Sequence, residues 1–235
     1  MLRGDPERAA SVCEEALTVA RELGDARAIS GALESLAEIR SRHGDHARAL
    51  EHHEEAVTLR RGLGDPQLVS GAVYNLGVAA FRRGDMFRAR QAVEEVLSLA
   101  RELGDNLHLA AALFVLAELD LLEGDADLAE TRIKESLALY AELEDDRDTA
   151  ECLVVAACVA VARGSHEEAA QSLGAADALR ADAPLSHFEL VALERYLPEL
   201  DAALGADAFA RLKAEGARVG FNALPLELAI APSKK

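Results

Sequence analysis

Gly24-Asp25 is one of seven Gly-Asp dipeptides that recur along this sequence at a fixed interval of 20 residues. The copies stand at Gly4-Asp5, Gly24-Asp25, Gly44-Asp45, Gly64-Asp65, Gly84-Asp85, Gly104-Asp105 and Gly124-Asp125, and the next two slots hold Glu144-Asp145 and Gly164-Ser165. Glycine just past a helix end adopts the left-handed conformation at little cost, and aspartate just before a helix accepts hydrogen bonds from its first free N–H groups. Each 20-residue unit is therefore predicted to be one helix of about four turns and a tight turn.

Two successive helices form a unit that repeats every 40 residues. The first helix of each pair carries a large residue, then a leucine or alanine beside a small residue: Leu33-x-x-Leu36-Ala37, Val73-x-x-Leu76-Gly77, Leu113-x-x-Leu116-Ala117 and Leu153-x-x-Ala156-Ala157. The second helix carries alanine four residues before a larger side chain: Ala49 and His53, Ala89 and Val93, Ala129 and Ile133, Ala169 and Leu173. Small residues let neighbouring helices approach closely, so the pattern predicts an all-α fold of packed antiparallel helix pairs.

The composition excludes several classes of protein. The 235 residues are 50% hydrophobic but only 4% aromatic, so the core is predicted to be built from Ala, Leu and Val. A net charge of −17 opposes binding to nucleic acid or to an anionic membrane surface. No apolar run approaches the roughly 18 residues of a membrane span, and three cysteines without a CxxC pair suggest reduced thiols. We therefore expect a cytoplasmic protein.

The helix pairs resemble the tetratricopeptide repeat, most closely at Asn75-Leu76-Gly77 followed by Arg83-Gly84-Asp85 and Ala89. The sequence departs from that family's pattern because the tryptophan-like slot holds Leu or Val and the terminal proline is missing. The period of 40 indicates helices about one turn longer than usual, as in long-helix members of the family. The resemblance implies a right-handed α-solenoid whose first helices line a concave groove for a protein or peptide.

The register divides the chain into segments. We expect a half-repeat over 1–24, helix pairs over 25–64, 65–104, 105–144 and 145–180, capping helices over 181–220 and a partly disordered tail over 221–235. Ser186 is predicted to cap a helix that runs to about Leu204, and Gly205 to end it. Because the half-repeat matches a second helix without a first, we favour a fragment of a longer protein over a half-repeat that acts as a cap.

The C-terminal region carries a second resemblance. Leu173-Gly174-Ala175-Ala176 and Glu215-Gly216 are similar to the last repeats of large ATP-binding bacterial regulators of the LuxR family. The similarity implies a sensor or partner-binding segment of a bacterial transcriptional regulator. The sequence contains neither a nucleotide-binding loop nor a helix-turn-helix motif, so those activities are not implied.

No pattern in the sequence indicates catalysis or a cofactor. His43, His46, His52 and His53 cluster in sequence, but their helical spacing points the side chains in different directions, so we expect one packed imidazole and three solvated ones. Cys13 shares the inward slot of His53 and is expected in the core. No nucleophile elbow, P-loop or HExxH motif is present. We therefore predict a non-enzyme that holds no metal.

Residues one helical step from the inward positions are predicted to face the groove. Our candidate partner-binding residues are Glu34, Glu38, Arg42, Tyr74, Asn75, Val78, Phe81, Arg82, Phe114, Glu118 and Leu121. This face becomes more apolar towards the C-terminus. Either an external peptide or the chain's own C-terminal residues are expected to fill it, and the apolar candidates among the latter are Phe209, Phe221, Leu224, Leu226 and Leu228.

The leading hypothesis is therefore a protein- or peptide-binding scaffold. One alternative is a homodimerisation module that uses the unpaired first helix or the apolar groove. Another alternative is a small-molecule sensor inside the superhelix of a transcriptional activator.

Overall fold

A computed structural model of the chain describes residues 6–180 and 183–220, and it confirms the all-α fold. These residues form eleven helices and no strand. The helices are α1 (Pro6–Leu23), α2 (Ala26–Arg42), α3 (His46–Leu63), α4 (Pro66–Arg83), α5 (Met86–Leu103), α6 (Asn106–Glu123), α7 (Ala126–Glu142), α8 (Asp146–Ala162), α9 (His166–Arg180), α10 (His187–Leu204) and α11 (Ala206–Val219).

The predicted turn chemistry is present at the helix ends. The carboxylate of Asp25 accepts hydrogen bonds from the N–H groups of Arg27 and Ala28, both at 3.0 Å. The same capping interaction recurs at Asp45, Asp65, Asp85, Asp105, Asp125 and Asp145. Gly64 and Gly84 end α3 and α4 in the left-handed region, with φ of 70° and 84°. The first copy, Gly4-Asp5, lies outside the described residues.

The 40-residue period persists in the helices. The first helices α2, α4, α6 and α8 begin at Ala26, Pro66, Asn106 and Asp146, each 40 residues after the one before. The second helices keep the same interval, from α1 at Pro6 to α9 at His166. The chain divides into two compact units, Met1–Ala112 and Leu113–Lys235.

In the first unit, α1, α2, α3 and α4 each pack against the next helix in the chain. The short Gly-Asp turns make these neighbours antiparallel. Leu33, Leu36 and Ala37 of α2 are buried, as are Ala49 and Ala56 of α3. The inward slots are thus filled as the sequence pattern predicts. Cys13 of α1 is partly buried and packs against this core.

The second unit ends differently from a simple continuation of the repeat. Helix α8 packs on α7 and α9, but it is α11 that packs closely against α9, whereas α10 packs mainly on α8. Ser186 caps α10 through a reciprocal capping box with Glu189, and Gly205 ends it, as predicted. Pro198 lies inside α10. The last two helices therefore cover two different helices of the unit.

Some expectations concern residues that the structure does not describe. The tail over 221–235, with Phe221, Leu224, Leu226 and Leu228, lies outside the described residues, as do Ala181 and Asp182. In the described part of the chain, no helix is both long enough and apolar enough to cross a bilayer.

Candidate partner-binding faces

Glu34 of α2 belongs to a polar network that joins three helices of the first unit. The guanidinium of Arg60 forms an ion pair with Glu34 and donates a hydrogen bond to the Leu68 carbonyl oxygen at 3.2 Å. The amide of Asn75 donates to the other Glu34 oxygen at 3.4 Å. Burial raises the pKa of Glu34, and the Arg60 charge opposes that shift. Glu34 and Asn75 therefore fix the spacing of α2 and α4 on this face.

A second network lies towards the other end of the same two helices. Arg82 of α4 reaches Glu38 of α2 at 3.6 Å and donates a hydrogen bond to the Ser41 hydroxyl at 3.3 Å. Arg42 forms a hydrogen-bonded ion pair with Glu38 at 2.8 Å within α2. The structure thus brings Glu38, Arg42 and Arg82 together as a connected charged patch, in which Arg42 is well exposed and Glu38 and Arg82 are half-buried.

The aromatic and aliphatic members of the face in α4 differ in exposure. Tyr74 packs edge-on against His108 with ring centroids 6.2 Å apart, and it stays half-buried. Val78 is also half-buried, whereas Phe81 is only 2% exposed. Tyr74 and Val78 are therefore accessible on the α2–α4 face, and Phe81 contributes to the core. We use the term α2–α4 face for Glu38, Arg42, Tyr74, Val78 and Arg82.

The predicted groove residues of α6 are not open to solvent. Phe114, Glu118 and Leu121 are 5%, 0% and 1% exposed. Helix α10 covers them: the Phe188 ring packs edge-on against Phe114 with centroids 5.5 Å apart, and the Tyr196 hydroxyl donates to the Leu121 carbonyl oxygen at 3.1 Å. The occupant of this face is thus a helix of the chain itself.

Three carboxyl groups, from α6, α8 and α10, lie close enough to interact electrostatically. Neither carboxyl oxygen of Glu118 has a hydrogen-bond partner among residues 6–180 and 183–220. Burial, followed by the charges of Glu151 and Glu189, raises the pKa of Glu118 well above its usual range. Burial and the Glu189 charge raise the pKa of Glu151 to about 7. Glu189 itself pairs with Arg180. Burial and the two neighbouring charges each favour the protonated form of the Glu118 carboxyl.

In the described part of the chain, no group of three or more His, Cys, Asp or Glu side chains has the arrangement of a metal site. His53 is 7% exposed, and burial lowers its pKa to about 4. Burial raises the pKa of the Cys158 thiol to about 12, and that of the buried Cys152 thiol is raised as well. Such thiols are protonated and unreactive.

Helix pairs at a fixed 40-residue interval, with alternating small and large inward residues, define an α-helical repeat protein. This chain belongs to the tetratricopeptide repeat family, whose sequence pattern matches residues 1–62 and 69–142. Members of this family generally mediate protein–protein interaction and are generally non-catalytic.

A solved structure supports the fold assignment. The crystal structure of BtubC (BKLC) from P. vanneervenii is similar over 86% of this chain and 93% of that chain, with 20% sequence identity and a TM-score of 0.60. At that identity the similarity concerns the fold alone. No curated protein matches the chain in sequence.

The position of α10 was not foreseen from the sequence. Phe188, Ala192 and Tyr196 follow at four-residue intervals, and all three are buried. This spacing indicates an apolar helix face, but it does not say against which helices that face packs. The contacts with Phe114 and Leu121 join residues more than 70 positions apart in the sequence.

Proposed function

We propose that this chain is a non-catalytic scaffold that binds a protein or peptide on the α2–α4 face. The arrangement of Tyr74 and Val78 beside the charged patch of Glu38, Arg42 and Arg82 carries this proposal. These side chains are accessible, and the salt bridges Arg42–Glu38 and Arg82–Glu38 hold the charged ones in place. A partner therefore meets an ordered surface, which lowers the entropy lost on binding.

The chemistry of the face suggests an extended or helical peptide with mixed character. Tyrosine offers a large contact area and a hydroxyl at a small entropic cost, and Arg82 is suited to pair with a carboxylate. We further propose that the segment serves a cytoplasmic bacterial regulator as its sensor or partner-binding part, with repeats of the long-helix 40-residue type. Support for this role comes from the resemblance of residues 165–220 to regulators of the LuxR family.

A displayed library of random 15-residue peptides, selected on the intact chain, tests the binding proposal. We expect enriched peptides whose affinity falls at least about tenfold on Tyr74→Ala and on Arg82→Ala, because each removes a central contact. Arg61→Ala is the matched control, since Arg61 pairs with Glu95 between α3 and α5 and takes no part in the α2–α4 face. Peptides that bind all three variants equally would place the binding site elsewhere, and the absence of any enriched peptide would refute the proposal.

A homodimer is the second candidate function, favoured by one face of α1. Val12, Val19 and Leu23 are 58%, 53% and 76% exposed, and Ala9 and Ala16 on the same helix are also exposed. The equivalent alanines of α3, Ala49 and Ala56, are fully buried. The small central residues of this α1 face allow a second copy of α1 to approach closely.

Light scattering at two protein concentrations about 50-fold apart tests the dimer. If α1 pairs with a second copy, the mass doubles at the higher concentration, and Val12→Glu together with Val19→Glu abolishes the increase. A monomer at both concentrations would exclude this candidate.

A further inference from the structure

Two contacts fix how α10 lies along α6 in the second unit. At one end, the rings of Phe188 and Phe114 are 5.5 Å apart. At the other end, the Tyr196 hydroxyl donates to the Leu121 carbonyl oxygen at 3.1 Å, and Arg195 donates to the next carbonyl oxygen, that of Leu122, at 2.9 Å. The contacts are about two turns apart on each helix, so α10 and α6 run side by side in the same direction.

Counted along the two helices from these contacts, Glu118 of α6 and Ala192 of α10 stand at equivalent positions. Glu118 lies one turn after Phe114 on α6, and Ala192 lies one turn after Phe188 on α10. Both residues are buried, at 0% and 1% exposure. Helix α10 therefore presents a methyl group where α6 presents a carboxyl group. The contacts of Phe188 and Tyr196 on either side are complementary, but a methyl group is not complementary to the carboxyl group of Glu118.

The carboxyl of Glu118 is completely buried. Neither of its oxygens has a hydrogen-bond partner in the described ranges 6–180 and 183–220. A buried polar group without a partner costs stability, and a buried carboxylate costs more. Burial therefore favours the protonated form of this side chain beneath α10, whereas a carboxyl group exposed to water at neutral pH is ionised.

The charged groups around Glu118 do not provide a cation for its carboxyl group either. Glu151 of α8 and Glu189 of α10 are close enough to act on Glu118 electrostatically, and both are acidic. Arg180, at the end of α9, forms its ion pair with Glu189. Arg147 of α8 pairs with Glu151 at 3.7 Å on the exposed side. The centre of this site therefore suits a cation, and the described residues of α10 place none there. We use the term α6–α8 face for Phe114, Glu118 and Leu121 of α6 and Glu151 of α8.

We propose that the α6–α8 face is a docking site for a partner helix that carries a Lys or Arg flanked four residues away on either side by aromatic residues, and that α10 occupies this site in the partner's absence. The inference rests on the proposed scaffold function and assigns a second binding face to it. The partner's aromatic residues take the places of Phe188 and Tyr196, and its cation pairs with Glu118 and Glu151. An amphipathic helix in an apolar groove is a common mode of peptide recognition.

The preference for a cation can be measured within the chain itself. Ala192→Lys and Ala192→Met add side chains of similar length and volume, so both share the cost of a larger side chain at this position. Hydrogen exchange of the α10 amides at pH 7.5 then reports how firmly each variant holds α10 in place. We expect at least about tenfold slower exchange for Ala192→Lys than for Ala192→Met.

The Glu118→Gln background is the control that isolates the carboxylate. With glutamine at that position, the exchange rates for Ala192→Lys and Ala192→Met should become equal, or the order should reverse. Equal rates in the background that retains Glu118, or slower exchange for Ala192→Met, would overturn the proposal.

If both substitutions release α10 altogether, the α6–α8 face is open for a peptide. Synthetic peptides of residues 186–204 with Ala192→Lys or Ala192→Met are then titrated into the Ala192→Met chain. We expect the lysine peptide to bind at least about tenfold more tightly, and equal dissociation constants would overturn the proposal. These measurements use the chain's own helix, so their outcome is independent of whether library peptides bind the α2–α4 face.

Discussion

At the scale of single residues, the clearest departure from the repeat is Glu144. It occupies the slot that holds glycine in seven earlier copies, and it adopts φ of 56°. It is the one non-glycine residue with positive φ among the described residues. Side chains with a Cβ are disfavoured in this left-handed region by roughly 1 kcal/mol. The tertiary structure thus imposes a turn on a residue that does not prefer it.

Glu144→Gly is therefore expected to stabilise the protein by about 0.5–1 kcal/mol, with the gain reduced by the greater freedom of glycine in the unfolded chain. Gly124→Ala is the reciprocal variant, because Gly124 has φ of 91°, and it should destabilise by at least about 1 kcal/mol. Urea unfolding of the two variants measures both free energies. If Glu144→Gly lowers stability, the turn at this slot does not have the left-handed conformation.

At the scale of elements, the crossing of α9 and α11 depends on two glycines. A Cβ on Gly174 of α9 would overlap the backbone of Lys213 and Ala217, and a Cβ on Gly216 of α11 would overlap the backbone of Gln171. Backbone atoms cannot move aside as a flexible side chain can. The motifs Leu173-Gly174 and Glu215-Gly216, singled out in the sequence, are therefore the two sides of one close helix contact.

Gly216→Ala should consequently loosen α11 and lower the free energy of unfolding by about 2 kcal/mol or more. The same substitution would stabilise an unpacked helix by about 1 kcal/mol through helix propensity, so the sign of the effect distinguishes the two situations. Glu215→Ala, at the exposed neighbouring position, is expected to change stability by less than about 0.5 kcal/mol. Thermal unfolding and hydrogen exchange of α11 measure both variants.

At the scale of the whole molecule, the two units contain buried groups that respond to pH in opposite directions. In the first unit, burial lowers the pKa of His53 from 6.5 to about 4. In the second, burial and a neighbouring carboxylate raise the pKa of Glu151 from 4.5 to about 7. Between pH 4.5 and 6.5, His53 binds a proton more readily in the unfolded chain than in the folded chain. Glu151 shows the opposite preference and binds a proton more readily in the folded chain.

Acidification from pH 7 to pH 5 is therefore expected to remove stability from the first unit through His53 and to add stability to the second through Glu151. Each contribution is on the order of 2 kcal/mol. Hydrogen exchange, corrected for the intrinsic pH dependence, measures the two units separately. His53→Leu should weaken the pH response of the first unit. An apolar side chain is tolerated at this position, since the same slot holds Val93 and Ile133 in other repeats. Glu151→Gln should weaken the pH response of the second unit.

If the first unit still loses the same stability on acidification after His53→Leu, groups other than His53 cause that loss. Glu34 in that unit has a raised pKa and contributes with the opposite sign, so the difference between wild type and variant is the informative quantity. Identical responses of wild type and Glu151→Gln in the second unit would exclude Glu151 as its source.

The sequence by itself determined the helices, their caps and the inward residues. The reason is that Gly-Asp turns and the Leu-x-x-Leu-small pattern act within a few residues of the chain, where local sterics and hydrogen bonds decide the outcome. The all-α fold, the cap at Ser186 and the buried slot of His53 follow from such local rules.

Only the tertiary structure decided which helix faces remain accessible. Phe114, Glu118 and Leu121 occupy groove positions by spacing, yet α10 covers them. The packing of α10 on α8 and of α11 on α9 depends on contacts between residues far apart in sequence, as do the contacts of α10 with Phe114 and Leu121 of α6. A periodic pattern marks a face as apolar or polar, but the burial of that face is set by whichever distant element gains most from packing against it.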